Sequence, residues 1–345
     1  MTRYVIIGAG AVGGTIGARL ALAGIDTVWV ARGEHGRALR ERGLTLMSPD
    51  DTDTVRAPVW LDPAEAELTE DDVLLVAVKT HQVADALSTW ADVPVRMADG
   101  TTSTAGAALP VILATNGVAA EHIAHRWFAR VIGMCVWAPT VNLEPGVVIA
   151  RFTPTVAVLH CARVPAALTT DADRELLAEM SRDWGTTKMV VPTPDDVMPW
   201  KYRKLITNLG NVVQALLGPG AGARDITEAA EAEARRVIAA AGIEITDDET
   251  EAAVRKDGPR IAEVPGAPAE LGGSTWQSLA KGRGSVETDY LNGEITAIAN
   301  ATGQVAPVNT LLAGLARHAA ATGARPGDLS ADQVRAELGL PTPGE

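Results

Sequence analysis

The chain has 345 residues, 47% of them hydrophobic, and its formal net charge at pH 7 is −13. It is longer than a typical single domain and has ample apolar content for a core, so we expect a soluble protein of two domains. The negative charge and the lack of a basic stripe with interleaved aromatic residues exclude nucleic acid as an expected partner.

The first predicted element is a strand that runs directly into a glycine-rich turn. Residues 5–7 form the continuous apolar run of a buried parallel strand, and residues 13–23 have helical spacing. Between them Gly8, Gly10 and Gly13 match G-x-G-x-x-G, in which the glycines allow a tight turn, the approach of a pyrophosphate and close packing of helix on strand. The pattern predicts a dinucleotide bound at the start of the helix. The predicted cofactor loop comprises Gly8, Gly10, Ala11, Val12 and Gly13.

The end of the second predicted strand, residues 25–30, indicates which dinucleotide binds. Sites for NAD place an acid near this strand end to hydrogen-bond the ribose 2′-OH, whereas an arginine suits the 2′-phosphate of NADP. Arg32 follows the strand here, and Asp26 lies at its opposite end. The sequence therefore predicts NADP as the cofactor, with an ordinary exposed loop arginine as the alternative interpretation.

Three further parallel strands are predicted at residues 72–78, 110–114 and 130–136, the last of which closes the sheet. Lys79 and Asn116 follow the first two of these strands, at the carboxyl edge where open α/β sheets bind ligands. Both are therefore candidate site residues. A solvent-exposed lysine and a simple Asn-Gly turn are the alternatives.

Residues 44–60 are predicted to form a hairpin, and residues 146–152 and 155–161 to add antiparallel strands to the sheet. After the proline-bounded run PTPDD the strand patterns stop. Helical spacing then recurs over residues 196–217, 226–241, 285–301 and 309–321. We predict an α/β protein with an N-terminal Rossmann-type doubly wound sheet in residues 1–194, followed by an all-α C-terminal domain in residues 195–345.

Lys204 and Asn208 share one face of the helix predicted over residues 200–218, because they are four residues apart. Reduction of a carbonyl needs a proton donor near the developing alkoxide, so a lysine and an orienting amide at this spacing are candidate catalytic groups. The alternative is a solvated basic face that also includes Lys201 and Arg203.

A second candidate patch in the helical domain combines hydroxyl and acid side chains. The hydroxyls of Ser274 and Thr275 can bind a carboxylate, and Glu287 can fix a hydroxyl. In the alternative interpretation Ser285 is an ordinary N-cap, and Glu287 lies in a first helical turn, where the helix dipole favours acids.

Five motifs occur in order along nearly the whole chain: GAGAVGG at residues 8–14, VKT at 78–80, TNG at 115–117, WKYRKLITN at 200–208 and SVETDYLNG at 285–293. Together they resemble the ketopantoate reductase (2-dehydropantoate 2-reductase) family. The resemblance implies that Lys204 is the catalytic lysine of a K-L-x-x-N motif, that Asn208 binds the substrate and that Glu287 is the glutamate of T-E-x-D. It places four further residues on the cofactor side or the substrate side of the site: Lys79, Asn116, Ser274 and Thr275. Asn116 and Glu287 are expected to serve both cofactor and substrate.

The chain departs from the family pattern at several of these motifs. Thr115 stands where the family commonly has Gln, Trp276 lies in an altered S-S-M-x-Q-D segment, and Val286 replaces the Thr before the glutamate. Asn211 follows Asn208 by three residues instead of four. These differences leave the cofactor prediction unchanged and bear on substrate specificity.

The sequence thus predicts an NADPH-dependent reductase of a small 2-oxo acid, with ketopantoate as the leading substrate and Lys204 as general acid in a cleft between the domains. One alternative is a β-hydroxyacid dehydrogenase, because that group also pairs a Rossmann domain with a helix bearing Lys and Asn at this spacing. The other is a non-catalytic NADP-sensing protein, which would need neither Lys204 nor Glu287. His122 and His125 have helical spacing but lack a third metal ligand, so no metal is expected.

The remaining expectations concern the compartment and the assembly. No run of about 18 apolar residues is present, and the first strand begins too close to Met1 for a signal peptide. Cys135 and Cys161 are expected to be buried thiols of a reducing compartment. We therefore expect a cytoplasmic protein with a small-molecule substrate and no membrane partner, for which a homodimer is one compatible assembly.

Overall fold

The computed structural model describes residues 2–142, 144–218, 221–255, 258–268, 272–282 and 286–341. The chain forms two compact units, one of Met1–Trp200 with Asp247–Pro268 and the other of Lys201–Thr246 with Ala269–Glu345. The sequence predicted an uninterrupted second domain from residue 195, whereas the segment Asp247–Pro268 groups with the first unit.

The strands of the described chain all belong to the first unit. They are β1 (Arg3–Ile7), β2 (Thr27–Val30), β3 (Leu44–Met47), β4 (Thr52–Val55), β5 (Val59–Trp60), β6 (Leu68–Thr69), β7 (Asp72–Val76), β8 (Pro94–Arg96), β9 (Thr102–Thr104), β10 (Pro110–Leu113), β11 (Arg130–Trp137), β12 (Thr140–Val141), β13 (Val147–Ala150), β14 (Phe152–Thr153), β15 (Ala157–Val164), β16 (Met189–Val190) and β17 (Arg260–Ile261).

The α-helices are α1 (Ala11–Leu22), α2 (Gly33–Arg42), α3 (Val83–Ala91), α4 (Ala105–Ala108), α5 (Ala119–Ala124), α6 (Asp171–Gly185), α7 (Met198–Asn208), α8 (Gly210–Leu217), α9 (Arg224–Ala240), α10 (Asp248–Arg255), α11 (Ser274–Ala280), α12 (Asn292–Ala301), α13 (Pro307–Thr322) and α14 (Ala331–Leu338). Short 3-10 helices occupy Pro63–Glu65, Thr80–Gln82, Ala166–Leu168 and Glu287–Tyr290. None of the described helices combines the length and the apolar character that a membrane span requires.

The main sheet has eight strands in the order β16-β15-β11-β10-β7-β1-β2-β5. Every neighbouring pair from β11 to β5 is parallel. The chain builds β1, β2 and β5 in one direction and then returns to add β7, β10 and β11 on the other side of β1. The order therefore reverses between β1 and β7, and such a switch point is where open α/β sheets bind ligands at the carboxyl ends of their strands.

The apolar runs of these strands bury both faces of the sheet, as expected for parallel strands covered on each side. In β1, Tyr4 and Ile6 belong to the core on one face, and Val5 and Ile7 to the core on the other. Helix α1 packs on the first of these faces, and a Cβ on Gly17 would come 2.6 Å from Nε1 of Trp29. Gly17 therefore allows the close approach of α1 to the sheet.

Two of the strand predictions need correction. The segment over residues 146–152 was expected in the main sheet, but β13 pairs in parallel with β3 in a second sheet of order β12-β13-β3-β4. β11 does not close the main sheet, because β15 pairs antiparallel with it and β16 lies beyond. The antiparallel addition predicted over residues 155–161 is confirmed as β15.

The helical unit also differs from the predicted elements. The helix expected over residues 196–217 is two helices, because the chain breaks at Leu209 between α7 and α8. Gly210 follows the break, and a Cβ there would lie 2.9 Å from Cγ2 of Thr227 on α9, so a larger residue would push the two helices apart. The helix expected from Ser285 is a 3-10 turn followed by α12, and Ser285 itself lies outside the described residues.

A buried polar network joins three helices of this unit. The carboxylate of Glu233 on α9 accepts from the backbone N–H groups of Val308 and Asn309 at the start of α13. The amide of Asn309 also donates to Glu233, and Asn292 on α12 donates to Oδ1 of Asn309 at 3.0 Å. Asn292 and Asn309 are fully buried, and these bonds provide most of the hydrogen bonding that burial requires.

Candidate active site

The glycine-rich turn lies at the carboxyl end of β1, beside the end of β7. Gly8 has a φ of +94°, and a Cβ there would lie 2.8 Å from Cγ1 of Val78, so this position requires glycine. A Cβ on Gly13 would overlap the carbonyl oxygen of Gly8. A Cβ on Gly10, in contrast, would have no atom within 4 Å. The loop is therefore tightly packed at its first and third glycines and open at its second.

The hydrogen bonds of the glycine loop leave one group of backbone N–H donors, at the start of α1, available to a ligand. The N–H groups of Gly8 and Ala9 both donate to the carbonyl of Val30. The N–H of Gly10 donates to the carbonyl of Gly8. The N–H of Gly14 makes a helical bond to the carbonyl of Gly10. By helix geometry, the N–H groups of residues 11–13 have no intrahelical acceptor. The first turn of α1 contains no acid, and its N-cap Gly10 adds no side chain, so the site fits the pyrophosphate of a dinucleotide.

Arg32 is the N-cap residue of α2 and is exposed. It follows β2 by two residues, at the same carboxyl edge of the sheet as the glycine loop. Glu34 lies in the first turn of the same helix. Both a cation and an acid are thus present near the end of β2, with the cation nearer to the strand.

Lys79 and Asn116 lie in neighbouring loops at this edge. Lys79 is the N-cap residue of the 3-10 helix Thr80–Gln82, just after β7. The hydroxyl of Thr80 donates to the backbone carbonyl of Asn116 at 3.1 Å, which ties the loop after β7 to the loop after β10. Gly117 has a φ of +75°, as an Asn-Gly turn requires. The structure thus brings the TNG segment and the VKT segment together.

Sequence reasoning missed His35, which lies in the first turn of α2. Its Nε2 is 2.7 Å from the carbonyl oxygen of Ala9 in the glycine loop, and its Nδ1 is 3.0 Å from the backbone nitrogen of Gly146. Gly146 is 111 residues away along the chain. No local pattern in the sequence signals such a contact.

In the helical unit, Lys204 and Asn208 are both partly buried on one face of α7. Leu205 and Ile206 are fully buried. Lys201, one turn before Lys204, is only 2% exposed, so the alternative of a solvated basic face is wrong for that residue. α7 therefore presents partly buried polar groups at the predicted four-residue spacing.

Helix α11 brings Ser274 and Thr275 beside α8. The N–H of Gly273, the N-cap of α11, donates to Oε1 of Gln214 on α8 at 2.9 Å. A Cβ on Gly273 would lie 3.1 Å from Oδ1 of Asn211. The hydroxyl oxygens of Ser274 and Thr275 are buried and have no hydrogen-bond partner among the described residues. A buried hydroxyl without a hydrogen-bond partner lowers the stability of the fold, so these two hydroxyls are suited to bind a ligand or an ordered water.

Glu287 is the first residue of the 3-10 helix before α12 and is 4% exposed. It thus lies in a first helical turn, as the alternative interpretation predicted, and its side chain is buried there. The predicted residues thus form two sets. The glycine loop, Arg32, Lys79 and Asn116 lie in the first unit, and Lys204, Asn208, Ser274, Thr275 and Glu287 lie in the second.

The cysteines and histidines of the described chain form no metal site. No group of three or more His, Cys, Asp or Glu residues there is arranged to hold a metal ion. Cys135 and Cys161 are buried free thiols, as predicted. They belong to core clusters on opposite faces of the main sheet.

One curated relative matches most of the chain at low identity, and another matches a shorter segment at higher identity. The 2-dehydropantoate 2-reductase of Archaeoglobus fulgidus is 27% identical over 324 residues, which cover 91% of this chain and 97% of that protein. The 2-dehydropantoate 2-reductase of Mesorhizobium japonicum is 40% identical over 86 residues, and this match covers 25% of this chain and 26% of that protein.

Solved structures share the fold. A PanE/ApbA family ketopantoate reductase from Ralstonia eutropha JMP134 superposes with a TM-score of 0.70 and 24% identity over 94% of this chain and 99% of that one. D-mandelate dehydrogenase, solved with NADH and anilino(oxo)acetate, gives a TM-score of 0.73 and 18% identity over 94% and 99% of the two chains. At these identities the likeness shows the α/β unit followed by a helical unit.

Family models match both parts of the chain in order. The model described as ketopantoate reductase PanE/ApbA matches residues 4–159, and the model of its C-terminal part matches residues 196–320. Together they span the glycine loop, Lys79 and Asn116 in the first match, and Lys204, Asn208 and Glu287 in the second. The chain belongs to the ketopantoate reductase family of oxidoreductases.

Proposed function

We propose that this protein reduces 2-dehydropantoate (ketopantoate) to pantoate with NADPH. The proposal is carried by one observation, namely that a loop shaped for a pyrophosphate and the family's Lys-Asn helix occur in one chain that both family models match. The relative from Archaeoglobus fulgidus, which matches over nearly its full length, is a 2-dehydropantoate 2-reductase, which supports this substrate.

The glycine loop, Arg32, Lys79 and Asn116 form the proposed cofactor side. The N–H groups of residues 11–13 would hold the pyrophosphate, and the exposed guanidinium of Arg32 would meet the 2′-phosphate. D-mandelate dehydrogenase, which shares this fold, is solved with NADH, so the fold alone does not assign NADPH. Arg32 at the N-cap of α2 is the reason to propose NADPH here.

Lys204 is the proposed general acid. The nicotinamide, when bound, supplies the hydride to the keto carbon, and the negative charge that develops on the oxygen then needs a proton. The ammonium group of Lys204 would donate it, while the amide of Asn208, one turn later on the same face, would orient the substrate.

The remaining candidate residues of the second unit would bind the substrate and select it. The hydroxyls of Ser274 and Thr275, buried and without partners among the described residues, would donate to the carboxylate. Glu287 is buried, and its carboxylate would accept a hydrogen bond from a hydroxyl of the substrate. Ketopantoate has such a hydroxyl, which supports it over 2-oxo acids that lack one.

A bulkier 2-oxo acid without a hydroxyl is the second candidate. Trp276 on α11 packs its ring against the backbone of Gly272, next to Ser274 and Thr275, and it stands in the segment that departs from the family pattern. The relative solved with anilino(oxo)acetate holds an aromatic 2-oxo acid derivative. An aromatic side chain beside the hydroxyl pair would favour a similar compound.

NADPH oxidation measured against a panel of 2-oxo acids tests both candidates. The panel contains ketopantoate, its analogue without the hydroxyl, its analogue without one methyl, and phenylglyoxylate. Loss of the hydroxyl should lower kcat/KM by about 10⁴-fold, and loss of a methyl by about 10- to 200-fold. Turnover of phenylglyoxylate without turnover of ketopantoate would contradict the substrate and the role of Glu287. Binding of NADPH with no turnover of any compound would favour the NADP-sensing alternative.

A further inference from the structure

His35 bridges two parts of the first unit that are distant in sequence. Its Nε2 lies 2.7 Å from the carbonyl oxygen of Ala9, inside the glycine loop. Its Nδ1 lies 3.0 Å from the backbone nitrogen of Gly146, in the segment between β12 and β13. The side chain starts from the first turn of α2, three residues after Arg32.

The two contacts allow only one state of the imidazole. The backbone N–H of Gly146 is a donor, so Nδ1 must be the unprotonated acceptor. The carbonyl of Ala9 can only accept, so Nε2 must carry the hydrogen and donate it. His35 is therefore neutral and in the Nε2–H tautomer.

The Gly146 end of this bridge is itself held in place. The carbonyl of Gly146 accepts from the N–H of Thr45 on β3 at 2.8 Å. The side-chain amide of Asn142 donates to the carbonyl of Val147, the next residue, at 2.8 Å. A Cβ on Gly146 would lie only 3.3 Å from Cβ of Ala38, so this segment packs directly on α2. Gly146 thus provides a fixed donor that orients the ring of His35.

The Ala9 end of the bridge determines where the glycine loop directs its donors. The N–H groups of Gly8, Ala9 and Gly10 are all used inside the first unit. With the carbonyl of Ala9 held by His35, the groups that this turn leaves available are the N–H groups of residues 11–13. Without His35, the bond from the N–H of Gly10 to the carbonyl of Gly8 would be the remaining hydrogen bond of this peptide among the described residues. A rotation of the peptide would present an oxygen, which would repel a phosphate.

We propose that His35 is a positioning residue for the dinucleotide: its Nε2–H fixes the Ala9 carbonyl so that the start of α1 stays ready for the pyrophosphate. The inference rests on the proposed function in one respect, that a dinucleotide is the ligand of this loop. The bridge also links the loop to the N-terminus of α2, which carries Arg32, so one side chain fixes the spacing of both phosphate-binding elements.

Three variants at this position separate the two hydrogen bonds. His35→Leu removes both of them. His35→Gln places an amide N–H near the position of Nε2 and can restore the bond to Ala9, whereas His35→Asn places its amide near Nδ1 and cannot. The matched control is His122→Leu, the same change at an exposed histidine on α5.

NADPH affinity is measured by titration, kcat is measured at saturating NADPH, and the imidazole tautomer of the ligand-free protein is read by nitrogen NMR. The Leu and Asn variants should bind NADPH about 10-fold more weakly, because one hydrogen bond to a buried carbonyl is lost. The Gln variant and the His122 control should bind it normally. At saturating NADPH, kcat should change less than roughly twofold, since the role proposed for His35 is in cofactor binding and not in the chemical step.

Several results would overturn the inference without touching the proposed function. These are normal NADPH affinity in His35→Leu, equal loss in the Gln and Asn variants, or an Nδ1–H tautomer in the NMR spectrum. The spectrum needs no ligand and no variant, so it tests the proposed tautomer of His35 even if the Leu variant does not fold. Failure of the unmutated protein to bind any dinucleotide would instead overturn the proposed function, and this inference with it.

Discussion

Gly13 lies so close to Gly8 that a Cβ on Gly13 would overlap the carbonyl oxygen of Gly8. The same atom would also lie 3.0 Å from the side chains of Ile6 and Ala77. Gly10, between them in sequence, has a φ of −82° and open space where its Cβ would stand. Two of the three glycines are therefore required by the protein's own packing, while the second leaves room for a ligand.

This contrast predicts opposite effects for two small substitutions. Gly13→Ala should destabilise the fold by about 1–3 kcal/mol, because backbone must shift to admit the methyl group. Gly10→Ala should cost less than about 1 kcal/mol of stability but weaken NADPH binding at least about 10-fold, since the methyl fills the space over the loop. Urea unfolding and NADPH titration measure the two effects. Normal NADPH binding by Gly10→Ala would show that the pyrophosphate does not lie there.

Arg32 should set the preference for NADPH over NADH. A charge-assisted bond to the 2′-phosphate is worth about 1.5–3 kcal/mol, so Arg32→Asp should lower NADPH affinity roughly 10- to 100-fold. The new aspartate is a good N-cap for α2 and can accept a bond from a ribose 2′-OH, so NADH affinity should be unchanged or improved.

The control for this experiment is Arg37→Asp, the same charge change at an exposed position on α2. Titration of both cofactors against the three proteins gives the comparison. Equal binding of NADPH and NADH by the unmutated protein would contradict the assignment, as would an equal effect of the two substitutions.

Lys204 should act on the chemical step and not on cofactor binding. Lys204→Met should lower kcat by about 10²- to 10⁴-fold, the usual contribution of a positioned general acid, and leave NADPH affinity nearly unchanged. The matched variant is Lys201→Met, at a buried lysine on the same helix one turn earlier. Steady-state kinetics and NADPH titration separate the two lysines. A larger loss of kcat in Lys201→Met would assign the proton donor to Lys201.

The first unit could be predicted where one local pattern determines one structure. The apolar run of β1, the glycines and the helical spacing of α1 are adjacent in sequence, so the strand, the turn and the helix were all predicted. The strand that pairs with β13 was not predicted, because alternating residues show that a strand is half-buried but do not show which strand it pairs with. Its pairing of Val148 with Leu46 depends on the path of the whole chain.

The second unit shows a similar limit. Apolar spacing continues through Leu209, so it predicts one helix where the structure has two, α7 and α8. The glycine at position 210 is the local signal of the break, and its closeness to Thr227 is visible only in the structure. The shared face of Lys204 and Asn208 on α7 could be predicted, because helical spacing places them together. The contact of Gly273 with Gln214 joins residues 59 apart, and no spacing rule reports it.

The pH dependence of folding stability should come in part from His160. Its ring stacks on that of Trp200 with centroids 3.9 Å apart, and it is 2% exposed. Both of its ring nitrogens lack a hydrogen-bond partner among the described residues. Burial disfavours the charged ring and lowers the pKa of His160 from 6.5 to about 4.

The sign of the effect follows from which state binds the proton first. Between pH 6.5 and about pH 4 the unfolded chain has protonated this histidine and the folded protein has not. The stability contributed by the neutral ring is therefore complete above pH 6.5 and is lost as the pH falls through this window. The shift corresponds to roughly 3 kcal/mol at its lower end.

His160→Phe should remove this loss, because phenylalanine keeps a flat ring against Trp200 and has no proton to bind. The free energy of unfolding, measured with urea at pH 7 and at pH 4.5, should fall less with acid in the variant than in the unmutated protein, by about 2–3 kcal/mol. His122→Phe, at an exposed histidine, should leave the pH dependence unchanged. An identical acid response in His160→Phe and the unmutated protein would mean that the folded state admits a protonated His160, with water or a rearranged neighbour solvating the ring nitrogens.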